Sequence, residues 1–308
     1  MYLTANRRIA RALGAVILAV LPLAAACGKD EPTTPAPPRA PEAGTVTIAL
    51  ADRPFQLHVP RSYAADHPVP LVVLLHGYSS NSREQDTYFG LSAQADQRGF
   101  LLALPDGMTD TNGNEFWNAT DACCDIFGSG VDDSAYLSQL IDTVKASYAV
   151  QAVFVMGHSN GGFMAHRMAC DHADQLTAIV ALAGVVWADP ARCTPSRAVT
   201  VLQIHGTADQ TIAYAGGTLV AGAAYPGAEA TIARWRSLDG CPATATAKPA
   251  LDLERALPGA ETTVTAYNGC RDGTSVVLWS VQGGAHVPAL STSFTPDVLD
   301  FLYSTLPS

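Results

Sequence analysis

The chain has 308 residues, 48% of them hydrophobic and only 15% charged, with a formal net charge of −10. That much apolar content excludes a disordered chain. The acidic balance argues against a nucleic-acid partner and against a polybasic membrane-surface patch, since both need clustered Lys and Arg.

Arg7, Arg8 and Arg11 precede an apolar run from Leu13 to Ala26 that ends in small residues before Cys27. A basic start, a short apolar stretch and a small-residue end form the pattern of a secretory signal. The run is shorter than the roughly 20 residues that a spanning helix needs. Residues 1–26 are therefore read as a signal peptide. Three small residues before a Cys resemble a bacterial lipobox, which makes Cys27 a lipidation candidate. Ala24-x-Ala26 also fits ordinary signal cleavage, and both routes mean export. Residues 27–44 are Pro-rich without a large apolar side chain, so they are expected to form an extended tether. The rest, 45–308, is expected to be a single α/β catalytic domain.

Thr45–Leu50 and Phe55–Val59 read as a strand hairpin around Asp52-Arg53-Pro54. Pro70–Leu75 is a continuous apolar run, as in a strand buried on both faces of a parallel sheet. A helix is predicted over Arg83–Arg98, stopping at Gly99, then a strand over Phe100–Leu104. Met108–Gly130 is a long polar segment holding Trp117 and the Cys123-Cys124 pair. Asp132 is placed to cap a helix running to about Tyr148. Further strands are predicted at Ala152–Met156, Thr177–Ala183, Val199–His205, Thr262–Tyr267 and Ser275–Val281. Helices are predicted at Gly161–Cys170, Glu229–Leu238 and Phe294–Tyr303. Strand–helix alternation with apolar strands means an α/β sheet covered by helices on both faces, with ligands at the C-terminal strand ends.

Gly157-His158-Ser159-Asn160-Gly161 is a G-x-S-x-G sequence lying between a strand and a helix. In that context it reads as a sharp turn that lifts the Ser159 hydroxyl above the sheet edge as a nucleophile. A serine needs a base and an orienting acid. His286 is the last histidine, and it follows the strand Ser275–Val281, so it is the candidate base. Asp239, Asp252, Glu254 and Asp272 are available as the acid, but Asp209 follows the strand Val199–His205 and reaches the same edge. The N–H groups of Asn160 and Tyr78 are the candidates for an oxyanion hole. His76, His158, His166, His172 and His205 are read as structural, and Asp132-Asp133 as a helix-starting pair.

Six cysteines follow Cys27, an even number that reads as disulfides in an exported chain. Cys123 and Cys124 are expected to reach separate partners, Cys170 and Cys193, because a bridge between neighbours strains the peptide between them. Neither C-x-x-C nor H-E-x-x-H occurs, so no metal site is expected.

Taken together, LVVLLHGY (Leu71–Tyr78), the LPDG–WNA–CC segment (Leu104–Cys124), VDDSAYL, GHSNGG, HGTAD and LWSVQGGAH resemble one group of α/β-hydrolases. These are the exported polyhydroxybutyrate depolymerases and the feruloyl and acetyl-xylan esterases. The resemblance covers about Thr45 to Leu306. It implies Ser159, Asp209 and His286 as a triad and a Cys241–Cys270 bridge. It departs after the histidine, where the group commonly has an aromatic residue and Pro-Gly and this chain has Val287-Pro288-Ala289. The implied activity is a serine ester hydrolase acting through an acyl-enzyme without metal or organic cofactor. Short-chain hydroxyalkanoate esters rank first as substrates, with feruloyl or acetyl sugar esters as the alternative and a non-catalytic ligand-binding lipoprotein third. Trp117 and Trp187 are the candidates for stacking on substrate, against plain core packing. The other expectations are an extracellular or cell-surface monomer, with membrane contact only through a lipid on Cys27.

Overall fold

Six aliphatic runs between Val69 and Val281 form the parallel centre of a ten-stranded sheet in the computed structural model, which describes residues 43–219 and 222–306. The signal peptide, Cys27 and nearly all of the tether lie outside the described residues. In chain order the strands are β1 (Gly44–Ile48), β2 (Phe55–Val59), β3 (Val69–Leu75), β4 (Leu101–Leu104), β5 (Met108–Thr109), β6 (Glu115–Phe116) and β7 (Val150–His158). They continue with β8 (Ala178–Leu182), β9 (Thr200–Gly206), β10 (Gly216–Thr218), β11 (Ala224–Pro226), β12 (Thr246–Leu251), β13 (Thr262–Asn268) and β14 (Ser275–Val281). The helices are α1 (Ser82–Phe89), α2 (Leu91–Arg98), α3 (Asp133–Ser147), α4 (Asn160–Asp171), α5 (Ala228–Leu238) and α6 (Phe294–Tyr303).

The sheet order is β1-β2-β4-β3-β7-β8-β9-β14-β13-β12. From β4 to β14 the neighbours pair in parallel, and antiparallel strands close both edges. Strand β3 explains why the runs are apolar throughout. Leu71, Val73 and Leu75 join one core layer with Leu137 of α3, Phe163 of α4 and Trp235 of α5. Val72 and Leu74 face the other layer, with Phe89 of α1, Leu91 of α2 and Leu299 of α6. Each fully buried side chain of this size contributes about 1.5–3 kcal/mol relative to exposure.

The helix predicted over Arg83–Arg98 is two. Gly90, at φ 67°, ends α1 and donates its N–H to Asp86 O. The Asp86 carboxylate then accepts the Ser92 N–H and hydroxyl, which starts α2 in a new direction. Strand β12 has no counterpart among the predicted strands. It is an almost wholly exposed edge strand carrying Lys248 and Pro249, so no apolar alternation marks it.

The bridge Cys241–Cys270 is present, as the resemblance implied. The other pairing corrects the expectation. Cys170 at the end of α4 bonds Cys193 in the loop beyond β8, with Cα atoms 4.7 Å apart, and Cys123 bonds Cys124. Both Cys170 and Cys193 are buried in the same core layer and satisfy each other, which leaves the adjacent pair no other partner among the described residues.

Candidate active site

Strand β7 meets α4 at Ser159, whose φ of 54° and ψ of −120° lie outside the ordinary regions for a residue with a side chain. Such a conformation costs about 1–3 kcal/mol and persists only where neighbours impose it. Here close packing does so. A Cβ on Gly157 would lie 2.2 Å from Gly161 O, and one on Gly161 would lie 2.2 Å from Leu75 O. Ser159 N–H donates to Leu182 O at 2.8 Å, tying the turn to β8.

His286 and Asp209 come from the ends of β14 and β9, which are paired in parallel so that Val281 faces Gly206. His286 Nε2 lies 2.9 Å from Ser159 Oγ, and Nδ1 lies 2.8 Å from Asp209 Oδ2. The carboxylate only accepts, so Nδ1 carries the proton and Nε2 is left to accept from the serine hydroxyl. Asp209 Oδ1 accepts the N–H groups of Thr211 and Ile212, each at 2.8 Å. Burial pushes the Asp209 carboxyl up. Hydrogen bonds from His205 and His286, the attraction of the His286 ring and the Ile212 N–H outweigh this and hold it well below the usual range.

Two histidines read as structural touch this chain of bonds. His158 Nε2 donates to His286 O at 2.8 Å, and burial lowers its pKa to about 4, so it stays a neutral strut under the histidine loop. His205 belongs to a buried series with a fixed direction. The Trp235 indole can only donate, and it donates to His166 Nδ1 at 2.9 Å. His166 Nε2 then donates to Gln203 Oε1, and Gln203 Nε2 donates to His205 Nδ1. His205 Nε2–H is thereby aimed at Ile212 O, 2.7 Å away, with Asp209 Oδ2 at 3.4 Å. The signal in the sequence was adjacency: His158 precedes Ser159, and His205 lies four residues before Asp209.

Asn160 is the first residue of α4, so its N–H has no partner within the helix. Among the described residues no protein acceptor takes the Tyr78 N–H. Both side chains are pinned. Asn160 Nδ2 donates to Trp117 O, and Trp117 N–H donates back to Asn160 Oδ1. Tyr78 donates its hydroxyl to Asp110 at 2.6 Å. Trp117 is fully buried, with its indole N–H donating to His76 O. Trp187 is also buried and packs under Arg192, 4.0 Å from the ring centroid. Neither tryptophan offers a face for stacking on a ligand. Asp132 caps α3 as expected, whereas Asp133 is fully buried and pairs with Arg53 at 2.7 Å.

Two clefts meet at Ser159 and share Tyr78. One, of about 270 Å³, is mainly apolar and is lined by Ala122, Cys123, Cys124, Ile126, Ile212 and Leu219 together with Asp121, Asp125 and Thr211. The other, of about 330 Å³, is lined by Ser80, Glu84, Gln85, Tyr88, His158, His286 and Val287. His286 lines only the second. Among the described residues His76, Asp106 and Glu115 bring potential metal ligands together. His76 has no lone pair to give, because Nδ1 donates to Gly77 O and Nε2 accepts the Gly107 N–H.

Residues 49–219, more than half of the chain, match the model of the esterase family described as "Putative esterase". The chain belongs to this family. "Putative esterase NocK" of Nocardia uniformis subsp. tsuyamanensis is 30% identical over 62% of this chain, which spans 62% of that relative's length. "Feruloyl esterase D" of Neurospora crassa is 25% identical over 89% of this chain and 88% of its own length. The acetyl xylan esterase from Aspergillus awamori superposes with a TM-score of 0.59 over 85% of this chain and 99% of its own, at 15% identity. The fold is thus that of the α/β-hydrolase esterases, as the resemblance implied.

Proposed function

We propose that this esterase-family chain is a serine carboxylic-ester hydrolase with Ser159 as nucleophile, His286 as base and then acid, and Asp209 as the orienting acid. Ser159 Oγ attacks the ester carbonyl while His286 Nε2 takes its proton. The N–H groups of Tyr78 and Asn160 receive the developing oxyanion. His286 returns the proton to the departing alcohol, and water then cleaves the acyl-enzyme by the same path.

The observation that carries the reading is the asymmetry of the two clefts at Ser159. Because His286 protonates the alcohol, the alcohol must lie in the cleft that His286 lines. That cleft is also mainly apolar, but Ser80, Glu84 and Gln85 place polar groups on it that suit a sugar hydroxyl. The acyl group then enters the apolar cavity, which has more room than acetate needs. Together with the relationship to a feruloyl esterase, this favours aryl (hydroxycinnamoyl) or acetyl esters of sugars over short-chain hydroxyalkanoate esters. Export as one catalytic domain on a Pro-rich tether completes the proposal, and the three disulfides support an oxidising compartment.

A fluorophosphonate probe combined with a kinetic panel tests the reading. Wild type should be labelled and Ser159→Ala should not. Methyl ferulate should exceed hydroxybutyrate oligomers in kcat/KM. Equal labelling of both proteins, or preference for the oligomers, would overturn it.

A further inference from the structure

We propose that the Cys123–Cys124 disulfide is a specificity-determining wall of the acyl cavity, and that reducing it weakens the preference for aryl acyl groups over acetyl. The proposal rests on the esterase reading above, with the acyl group in the apolar cavity.

Stability does not explain a bridge between adjacent residues. A disulfide stabilises largely by closing a loop in the unfolded chain. Cys170–Cys193 and Cys241–Cys270 span 23 and 29 residues, whereas Cys123–Cys124 spans one. It constrains almost nothing in the unfolded state. Its placement is what distinguishes it, since both cysteines line the cavity that opens on Ser159 and neither of the other bridges lines either cleft.

The closed bridge suits an aromatic acyl group. Two bonded sulfurs have no acidic hydrogen, carry no charge and are polarisable, and divalent sulfur packs well against aromatic rings. They continue an apolar surface made by Ala122, Ile126 and Ile212. Reduction replaces this surface with two S–H groups, which are weak hydrogen-bond donors and acceptors.

The wall is also held in register with the nucleophile. Cys123 O accepts the N–H of Thr120 at 2.7 Å, and Cys124 N–H donates to Trp117 O at 3.3 Å. Trp117 O also accepts from Asn160 Nδ2 at 2.8 Å, and Asn160 follows Ser159. An acyl group resting on the sulfurs is thereby fixed relative to the attacking oxygen. The reduction step takes two electrons and two protons from a dithiol, which forms its own disulfide as the Cys123–Cys124 bond breaks into two thiols.

The test compares p-nitrophenyl ferulate with p-nitrophenyl acetate, so that the alcohol is constant. In the double variant Cys123→Ala/Cys124→Ala the ratio of kcat/KM values, ferulate over acetate, should fall about tenfold. Dithiothreitol should move the wild-type ratio the same way, reversibly on reoxidation, and leave the variant's ratio where it is. The last comparison separates this bridge from the other two. A ratio unchanged in both experiments, or both esters falling by one common factor, would overturn the proposal. Should the variant fail to fold, the reduced wild type with its free thiols mapped by mass spectrometry carries the test. Ser159→Ala keeps the two readings apart. If it hydrolyses both esters like wild type, the esterase reading falls; if it is inactive while the ratio stays fixed, only the wall proposal falls.

Discussion

The two clefts at Ser159 are built from different material. The alcohol-side cleft is made of segments at the ends of sheet strands together with α1, which supplies Glu84, Gln85 and Tyr88. His158 closes β7, His286 follows β14, and Tyr78 follows β3. Its histidine loop is braced on three sides: His158 donates to His286 O, Tyr88 donates to Pro288 O, and Ala289 N–H donates to Glu254. The acyl cavity instead takes most of its wall from loops, Asp121–Ile126 on one side and Thr211, Ile212 and Leu219 on the other. On the proposed reading, the sheet places the chemistry and the loops place the selectivity. Changes at the shared centre should therefore strike every ester alike, while changes in one cleft should sort esters by acyl or by alcohol.

The largest effects belong to the centre. Ser159→Ala should lower kcat by about 10⁴–10⁶ for every ester, measured by steady-state kinetics. Asp209→Asn should cost about 10⁴, because Nδ1 of His286 loses its acceptor and the ring its tautomer. An effect confined to one acyl class would break the division of labour. Filling the acyl cavity comes next. Ile212→Trp should lower kcat/KM for feruloyl esters about 10–100-fold more than for acetyl esters of the same alcohol. On the alcohol side Glu84→Ala should change the ratio between a sugar ester and a methyl ester of one acid by only a few-fold, about 0.5–1 kcal/mol, because Glu84 is exposed.

Asp239 supplies a control that lies on neither cleft. It is fully buried at the end of α5, and both carboxylate oxygens lack a hydrogen-bond partner among the described residues. Burial pushes its pKa up to about 7, against the pull of the nearby Val199 N–H, which falls short of a full hydrogen bond, and of Arg271. The folded state thus holds a proton between about pH 4 and pH 7 that the unfolded state has released. Folding stability should fall as pH rises through that window and level off above it. The loss should be a few kcal/mol at most, since each tenfold difference in proton affinity between the folded and unfolded chains is worth about 1.4 kcal/mol. Asp239→Asn should flatten the change in melting temperature between about pH 5 and pH 8 and leave the ester ratios alone.

The sheet-borne half of the site was legible because its signals are local. G-x-S-x-G sits where β7 ends, Asp209 lies just past β9, and His286 lies beyond β14, so strand positions alone bring them to one edge. The loop-borne half was not legible. Met108–Gly130 has no periodicity, and its course depends on partners outside it, such as Asp133 and Arg167 bonded to the Asn118 main chain. Nothing in the spacing of Cys170 and Cys193 announces that they face each other, and from that contact follows the pairing of Cys123 with Cys124. Trp117 was singled out for its ring, yet its main-chain bonds to Asn160 are what connect it to the site.

In the proposed reaction an ester's acyl group is handed to Ser159 while its alcohol leaves on the His286 side. Rapid quenching of wild type with methyl ferulate, followed by peptide mass mapping, tests this directly. A feruloyl group is expected on the peptide containing Ser159, formed with release of methanol, and none in Ser159→Ala. Hydrolysis without any acyl-peptide, or an acyl group on another residue that survives in Ser159→Ala, would contradict it.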